Sequence, residues 1–354
     1  MVYQYNKVLS VRESIKILSD YIMLVSVSND FSNFYYGRSG ISISLFEASK
    51  YLNDEYTEEY AFRLLQQSLL YDKTDISFDK GLSGIGFSLL YLINNKFIDA
   101  KIDDLFSGQI KIIKETINRL SLEDISIENI DDYLHIAFFL RNLYMSSLCS
   151  LIKDDSIYDT IYGLLYEKFD ILFNYVYEMN KNLPLEFVLH SWTKLLVHSV
   201  VSKYRPSQNI LEKYLNLCLL NRVKFDSVAF TCLKYWLNNT KSLLFVQYEN
   251  RIKRIYYSKD IVDICIDKDR HPNVSLCINQ YIRKKIHDLN INVEELVNQS
   301  NSISEIEKIL NYYNANNRSL LGMNNGLPKL LTYMLYVIND KNSNVRLSQI
   351  ILLT

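Results

Sequence analysis

Apolar residues recur every three to four positions along most of the chain, and two kinds of segment alternate. Val8, Val11, Ile15, Leu18 and Ile22 share one face, which predicts an amphipathic helix over residues 7–28. A polar loop, 29–33, leads to a helix that starts at Gly37 and runs to Leu52. Beyond Asp54-Glu55, the face Ala61, Leu64, Leu65 and Ser68 marks another one-sided helix. The next helix, from Gly81 to about Asn94, reads apolar all round over residues 85–93. A helix of that kind is surrounded by protein, whereas a one-sided helix meets solvent.

The all-round helices open on glycine. Asp79-Lys80-Gly81-Leu82-Ser83-Gly84-Ile85-Gly86 repeats Gly37-Arg38-Ser39-Gly40-Ile41, and Asn325-Gly326-Leu327 returns near the end. Glycine inside a helix costs roughly 1 kcal/mol against alanine. It is kept where another group must approach the backbone closely. Gly37 and Gly81 lie 44 residues apart, a period that signals stacked helical hairpins.

Weaker copies follow. An amphipathic helix over 106–120 precedes an apolar helix opened by Asp131-Asp132 and reaching Cys149. A helix over 157–179 is followed by Pro184 and by the stretch from His190 to Val200. Pro206-Ser207 opens a helix through Leu220, Asp226 one to Asn238, and 241–257 a helix with a basic face (Arg251, Lys253, Arg254). Pro272-Asn273 introduces Val274 to Ile282, a weaker pair occupies 292–312, and Gly326 opens the last apolar helix, through Ile338. The fold class expected is all-α, about seven hairpins and fourteen helices with no convincing strand. No linker or composition break divides the chain, so one domain over 1–354 is expected. The first and last repeats are apolar, with Ile350 to Leu353 carrying no polar cap. An open solenoid needs such caps, so a closed α,α-toroid of inner and outer helices fits better.

Composition narrows the function. The chain is 48% hydrophobic, enough for a large core, and its net charge of −1 with no basic block argues against nucleic acid. The apolar run 21–27 is too short to span a bilayer, and the start lacks a basic leader pattern. Five cysteines without a C-x-x-C make a disulfide framework unexpected and favour a reducing cytoplasm. The abundance of Tyr, Ile, Leu, Asn and Lys fits an AT-rich bacterial genome.

Hairpins whose inner helices open on G-x-x-G or G-L-S-G-I-G resemble the lanthionine synthetase C-like (LanC-like) family. The likeness is specific at Gly81 to Leu92, good at Gly37 to Ala48 and at Asn325 to Leu335, and weak in the middle repeats. It implies an α,α-toroid in the maturation of ribosomally made peptides, where cyclases add a cysteine thiol to a dehydrated Ser or Thr. It also implies a zinc held by one cysteine of the fifth inner helix and a Cys-His pair of the sixth. Here the fifth-repeat position is Lys224, with Asp226 at the glycine, and the sixth reads Cys277-Ile278-Asn279. One ligand remains, so no metal or other cofactor is expected; His271 and Cys265 lack ligand spacing.

The resemblance carries two further positions over. His190-Ser191 matches a histidine before the glycine of the fourth inner helix, and Asp131 or Asp132 an acidic residue near the third. His190, Asp132 and Cys277 are thus the candidate catalytic residues. Ordinary duties compete: a packed histidine, helix-capping carboxylates, and a core thiol. The leading expectation is a zinc-free pseudo-cyclase that binds a precursor peptide or a peptide-modifying enzyme. One alternative is an active peptide cyclase using His190 and Cys277. Another is a carbohydrate-active α/α barrel, which needs two facing carboxylates from Asp79, Asp131, Asp132 and Asp226.

Overall fold

A computed structural model describes residues 8–71, 74–146, 148–153, 156–179, 185–220, 226–237, 246–247, 274–287, 293–298, 301–302, 309, 323, 326–339 and 345–353. The basic segment Arg251 to Arg254, Lys224, Cys265 and His271 lie outside these residues. The helices in chain order are α1 (Val11–Ser26), α2 (Arg38–Leu52), α3 (Glu55–Leu69), α4 (Leu82–Asn94) and α5 (Ile102–Ile117). Then come α6 (Ile130–Ser146), α7 (Ser156–Met179), α8 (Leu185–Ser202), α9 (Gln208–Leu219) and α10 (Ser227–Leu237). The last four are α11 (Val274–His287), α12 (Val293–Asn298), α13 (Leu327–Asn339) and α14 (Val345–Leu353). The fold is all-α; the β pairing among the described residues is the two-residue antiparallel contact of Val8–Leu9 with Asn301–Ser302. The chain forms two compact units, described separately below: Met1–Asn118 with Asn142–Asp154 and Lys284–Thr354, and Arg119–Arg141 with Asp155–Arg283.

Local chemistry sets the helix ends. The Ser10 hydroxyl accepts from the Glu13 amide while the Glu13 carboxylate accepts from the Ser10 amide, a capping box that starts α1 at Val11 rather than at residue 7. Asp54 caps α3 by accepting from the amides of Tyr56 and Thr57. Other boundaries also differ from the pattern-based reading: α5 begins at Ile102, ahead of Phe106, α6 ends at Ser146, short of Cys149, and α11 runs on past Ile282 to His287. Ile102 is buried and in phase with Phe106, Ile110, Ile113 and Ile117, so the apolar stripe starts one turn earlier.

In the first unit, α2 packs on α1, α3, α4 and α13, and α4 packs on α2, α3 and α5. Burial distinguishes two kinds of helix. Every residue of α4 from Leu82 to Ile93 is buried, and so is α2 from Ser39 to Ser49; α3 and α5 bury one stripe each. The unbroken apolar reading of 85–93 is therefore a helix enclosed on all sides.

The glycine turns before α2 and α4 are the same structure twice. The Arg38 amide donates to the Phe31 carbonyl and the Leu82 amide to the Asp75 carbonyl, each at 2.8 Å. A Cβ on Gly40 would lie 2.0 Å from the Phe34 carbonyl oxygen, and one on Gly84 2.1 Å from that of Phe78. Gly37 and Gly81 have φ of −125° and −121°, which any residue adopts. The glycines supply room for a crossing carbonyl and not an unusual backbone angle. The copies also interlock. The Tyr35 amide donates to the Asp79 carbonyl, and Phe34 lies edge-on against Phe78 and over Gly84. At Gly40 the place of Phe34 is taken by the side chain of Met323.

Candidate functional site

The second unit holds most of the sequence-predicted positions. Asn129 sets the start of α6: its side-chain oxygen accepts from the Ser126 amide, and its carbonyl accepts from the amides of Asp132 and Tyr133. Asp131 and Asp132 therefore occupy the first turn, where the helix dipole favours negative charge. α8 runs parallel to α6. The contacts climb together along both helices: Asp131 with Lys194, His135 with His198, and the Arg141 Nε donating to the Ser202 carbonyl. α7 connects these two parallel helices along the chain.

The facing surfaces of α6 and α8 are polar at their N-terminal ends. Lys194 Nζ donates to Asp131 Oδ2, with only 11% and 22% of the two side chains exposed. Burial alone would raise the Asp131 pKa. The Lys194 ammonium, with His135 and the Ser191 hydroxyl, outweighs it and holds the carboxyl well below the usual carboxylate range. Asp131 is thus ionised and committed to its lysine. One turn further, the His135 and His198 rings lie 5.7 Å apart, and Phe138 meets His198 edge-on at 4.9 Å. Both histidines are fully enclosed.

Of the two acidic candidates, Asp131 makes this ion pair, and Asp132 sits half-buried beside it in the same turn. His190 is half-buried on α8, one helical turn before Lys194. Its neighbour Ser191, at the position of the family's glycine, is buried. Asp226 caps α10: its Oδ1 accepts from the amides of Val228 and Ala229 at 2.9 and 3.0 Å. Asp131 and Asp226 therefore both have structural duties, one as an ion pair and one as a helix cap.

Cys277, on α11, is completely buried, and so is Cys232 on α10. Their thiols are in hydrogen-bond contact. One residue away, Thr231 Oγ1 donates to Gln280 Oε1, tying the same two helices. Burial, with Cys277 next and Asp226 adding its charge, pushes the Cys232 thiol well above its ordinary value. Cys232 is therefore a neutral thiol at physiological pH. Zinc needs three or four thiolate, imidazole or carboxylate ligands. Among the described residues no group of three or more such side chains is placed to hold a metal ion.

Lys194, His135, His198 and Cys232 are the residues that sequence reasoning missed. Asp131 and His135 stand at i and i+4, and Ser191, Lys194 and His198 at i, i+3 and i+7, so two polar stripes were legible. Their pairing was not, since it joins helices 63 residues apart. No helix among the described residues is long and apolar enough to cross a membrane. No family model matches this chain, and no curated protein matches its sequence.

Proposed function

We propose that this chain is a zinc-free relative of the LanC-like cyclases that works by binding. It forms a cytoplasmic α,α-toroid and holds a precursor peptide, or a partner peptide-modifying enzyme, during maturation of a ribosomally made peptide. The toroid is supported by the duplicated glycine turn, by the parallel inner helices α6 and α8, and by Met323 taking at Gly40 the place of Phe34 at Gly84.

The observation that carries the choice of binding over catalysis is Cys277. Its thiol is buried against that of Cys232, and the next two positions are Ile278 and Asn279 where the family pattern has histidine and glycine. Among the described residues no third metal-ligating side chain joins this pair. Asp131, fixed in its ion pair, is not available as a general acid near neutrality.

The test is a titration of the purified protein against a synthetic Cys/Ser/Thr-rich precursor peptide, dehydrated and undehydrated, followed by fluorescence anisotropy. Free thiols on the peptide are counted in parallel by alkylation and mass. Saturable binding with the thiol count unchanged is the expected result. Loss of peptide thiols that stops in His190→Ala would establish the enzymatic alternative, which His190's half-buried position on α8 leaves physically accessible. Absence of binding to the peptide and to a peptide dehydratase that acts on it would overturn the proposal.

A further inference from the structure

Cys232 and Cys277 come from different helices, lie 45 residues apart in sequence, and meet in the core of the second unit. Their setting is specific. Thr231 and Gln280 make a hydrogen bond immediately beside them, so α10 and α11 are held in one register at this point. Both residues are 0% exposed, and neither is in a disulfide. Two thiols close enough to share a hydrogen bond, on helices tied together beside them by Thr231 and Gln280, are placed for the approach that a disulfide within a folded protein requires.

We infer that Cys232 and Cys277 are a peroxide-dependent modification site that closes to a disulfide and staples α10 to α11. The chemistry balances with hydrogen peroxide as the named oxidant. One thiolate attacks a peroxide oxygen; the S–O bond forms as the O–O bond breaks, and hydroxide leaves and is protonated to water. The sulfenic acid that results is attacked at sulfur by the second thiol as its proton departs. The S–S bond forms, the S–O bond breaks, and a second water leaves. Two thiols lose two electrons and two protons in total to one peroxide.

Burial shapes the behaviour of the pair. Peroxide is small enough to reach an enclosed sulfur during local opening, where a bulky disulfide reagent is hindered. The attacking species is the thiolate, which is scarce at neutral pH in an apolar setting, so closure is slow and accelerates as pH rises. Once closed, the bond restricts the unfolded chain over a 45-residue separation and stabilises the fold.

The experiment uses the full-length chain. The folded protein is treated with hydrogen peroxide, remaining thiols are alkylated, and the digest is mapped without reduction. A denatured sample is treated in parallel. In the folded sample the expected product is a peptide pair linked through Cys232 and Cys277. The melting temperature should rise by roughly 5–10 °C and return with a reductant. Cys232→Ser and Cys277→Ser, each close in size to the native residue, should abolish both the linked pair and the rise. The inference is overturned if the folded protein leaves both thiols alkylatable while the denatured sample is oxidised. It is also overturned if Cys232 links instead to Cys149, Cys218, Cys265 or a second molecule.

Discussion

Replacing Gly84 by alanine is the sharpest test of why α2 and α4 open on glycine. The new methyl carbon would lie 2.1 Å from the Phe78 carbonyl oxygen and 2.7 Å from the Phe34 Cβ. Contacts under 3.0 Å are essentially never seen, so the Phe78 carbonyl must retreat by about 0.9 Å. That carbonyl belongs to a turn fixed by the Leu82-to-Asp75 and Gly81-to-Ser77 backbone bonds, and Phe34 is wedged against Phe78 and Phe87. Neither neighbour can yield alone. Overpacking of this kind costs about 1–3 kcal/mol, and more where backbone must move. Alanine's better helix propensity returns at most about 1 kcal/mol. With both neighbours held, the cost falls at or above the top of that range, about 3–4 kcal/mol, and a net loss of about 2–3 kcal/mol is expected. The control is Gly108→Ala in α5, where an added Cβ meets nothing within 4 Å. That substitution should stabilise by about 0.5–1 kcal/mol through propensity alone. Urea unfolding followed by helical circular dichroism reads both. If Gly84→Ala were as stable as wild type, or if the two variants moved together, the close-approach account of the glycine turns would be wrong.

Lys194→Met should destabilise by about 3 kcal/mol, the low end for breaking a buried ion pair, because both side chains keep some water contact. Adding Asp131→Leu to it should restore most of that loss, and a single-variant cost below about 1 kcal/mol in urea unfolding would mean the pair is well solvated. Asp54, bound by the Lys16 ammonium at 2.6 Å and by the Thr57 hydroxyl at 2.7 Å, has its pKa lowered from 3.8 to about 2. Its contribution is present above pH ~4 and is lost as pH falls toward ~2, so Asp54→Asn should flatten the stability profile across that window. Arg141→Ala removes the donor to the Ser202 carbonyl at the end of α8 and the cation over the Tyr158 ring. A loss of about 1–2 kcal/mol in the same unfolding assay is expected.

Much of the helical layout was readable from spacing, because enclosed and half-exposed helices differ in pattern over three turns. α4 and α5 are the clear cases: one apolar on every side, the other striped at Ile102, Phe106, Ile110, Ile113 and Ile117. The glycine turn was legible as repetition, and its reason emerged only with the carbonyl crossing behind each glycine. Helix starts were displaced where a cap decided them, as Ser10 and Glu13 do for α1. The candidate site was less legible. A sequence states that Asp131, Lys194, Cys232 and Cys277 exist, but partners in different hairpins carry no local signal. Asp131 and Asp132 are indistinguishable as neighbours until the helix phase turns one of them toward Lys194.

Met323 packing over Gly40 has a consequence for the order in which the molecule is made. The second glycine turn finds its cover, Phe34, in chain already synthesised, while the first must wait for a residue translated 283 positions later. At usual elongation rates the delay is about 15–60 s. For that interval the Gly40 face of a growing polypeptide is left bare, and a chaperone attending the nascent chain would find it open.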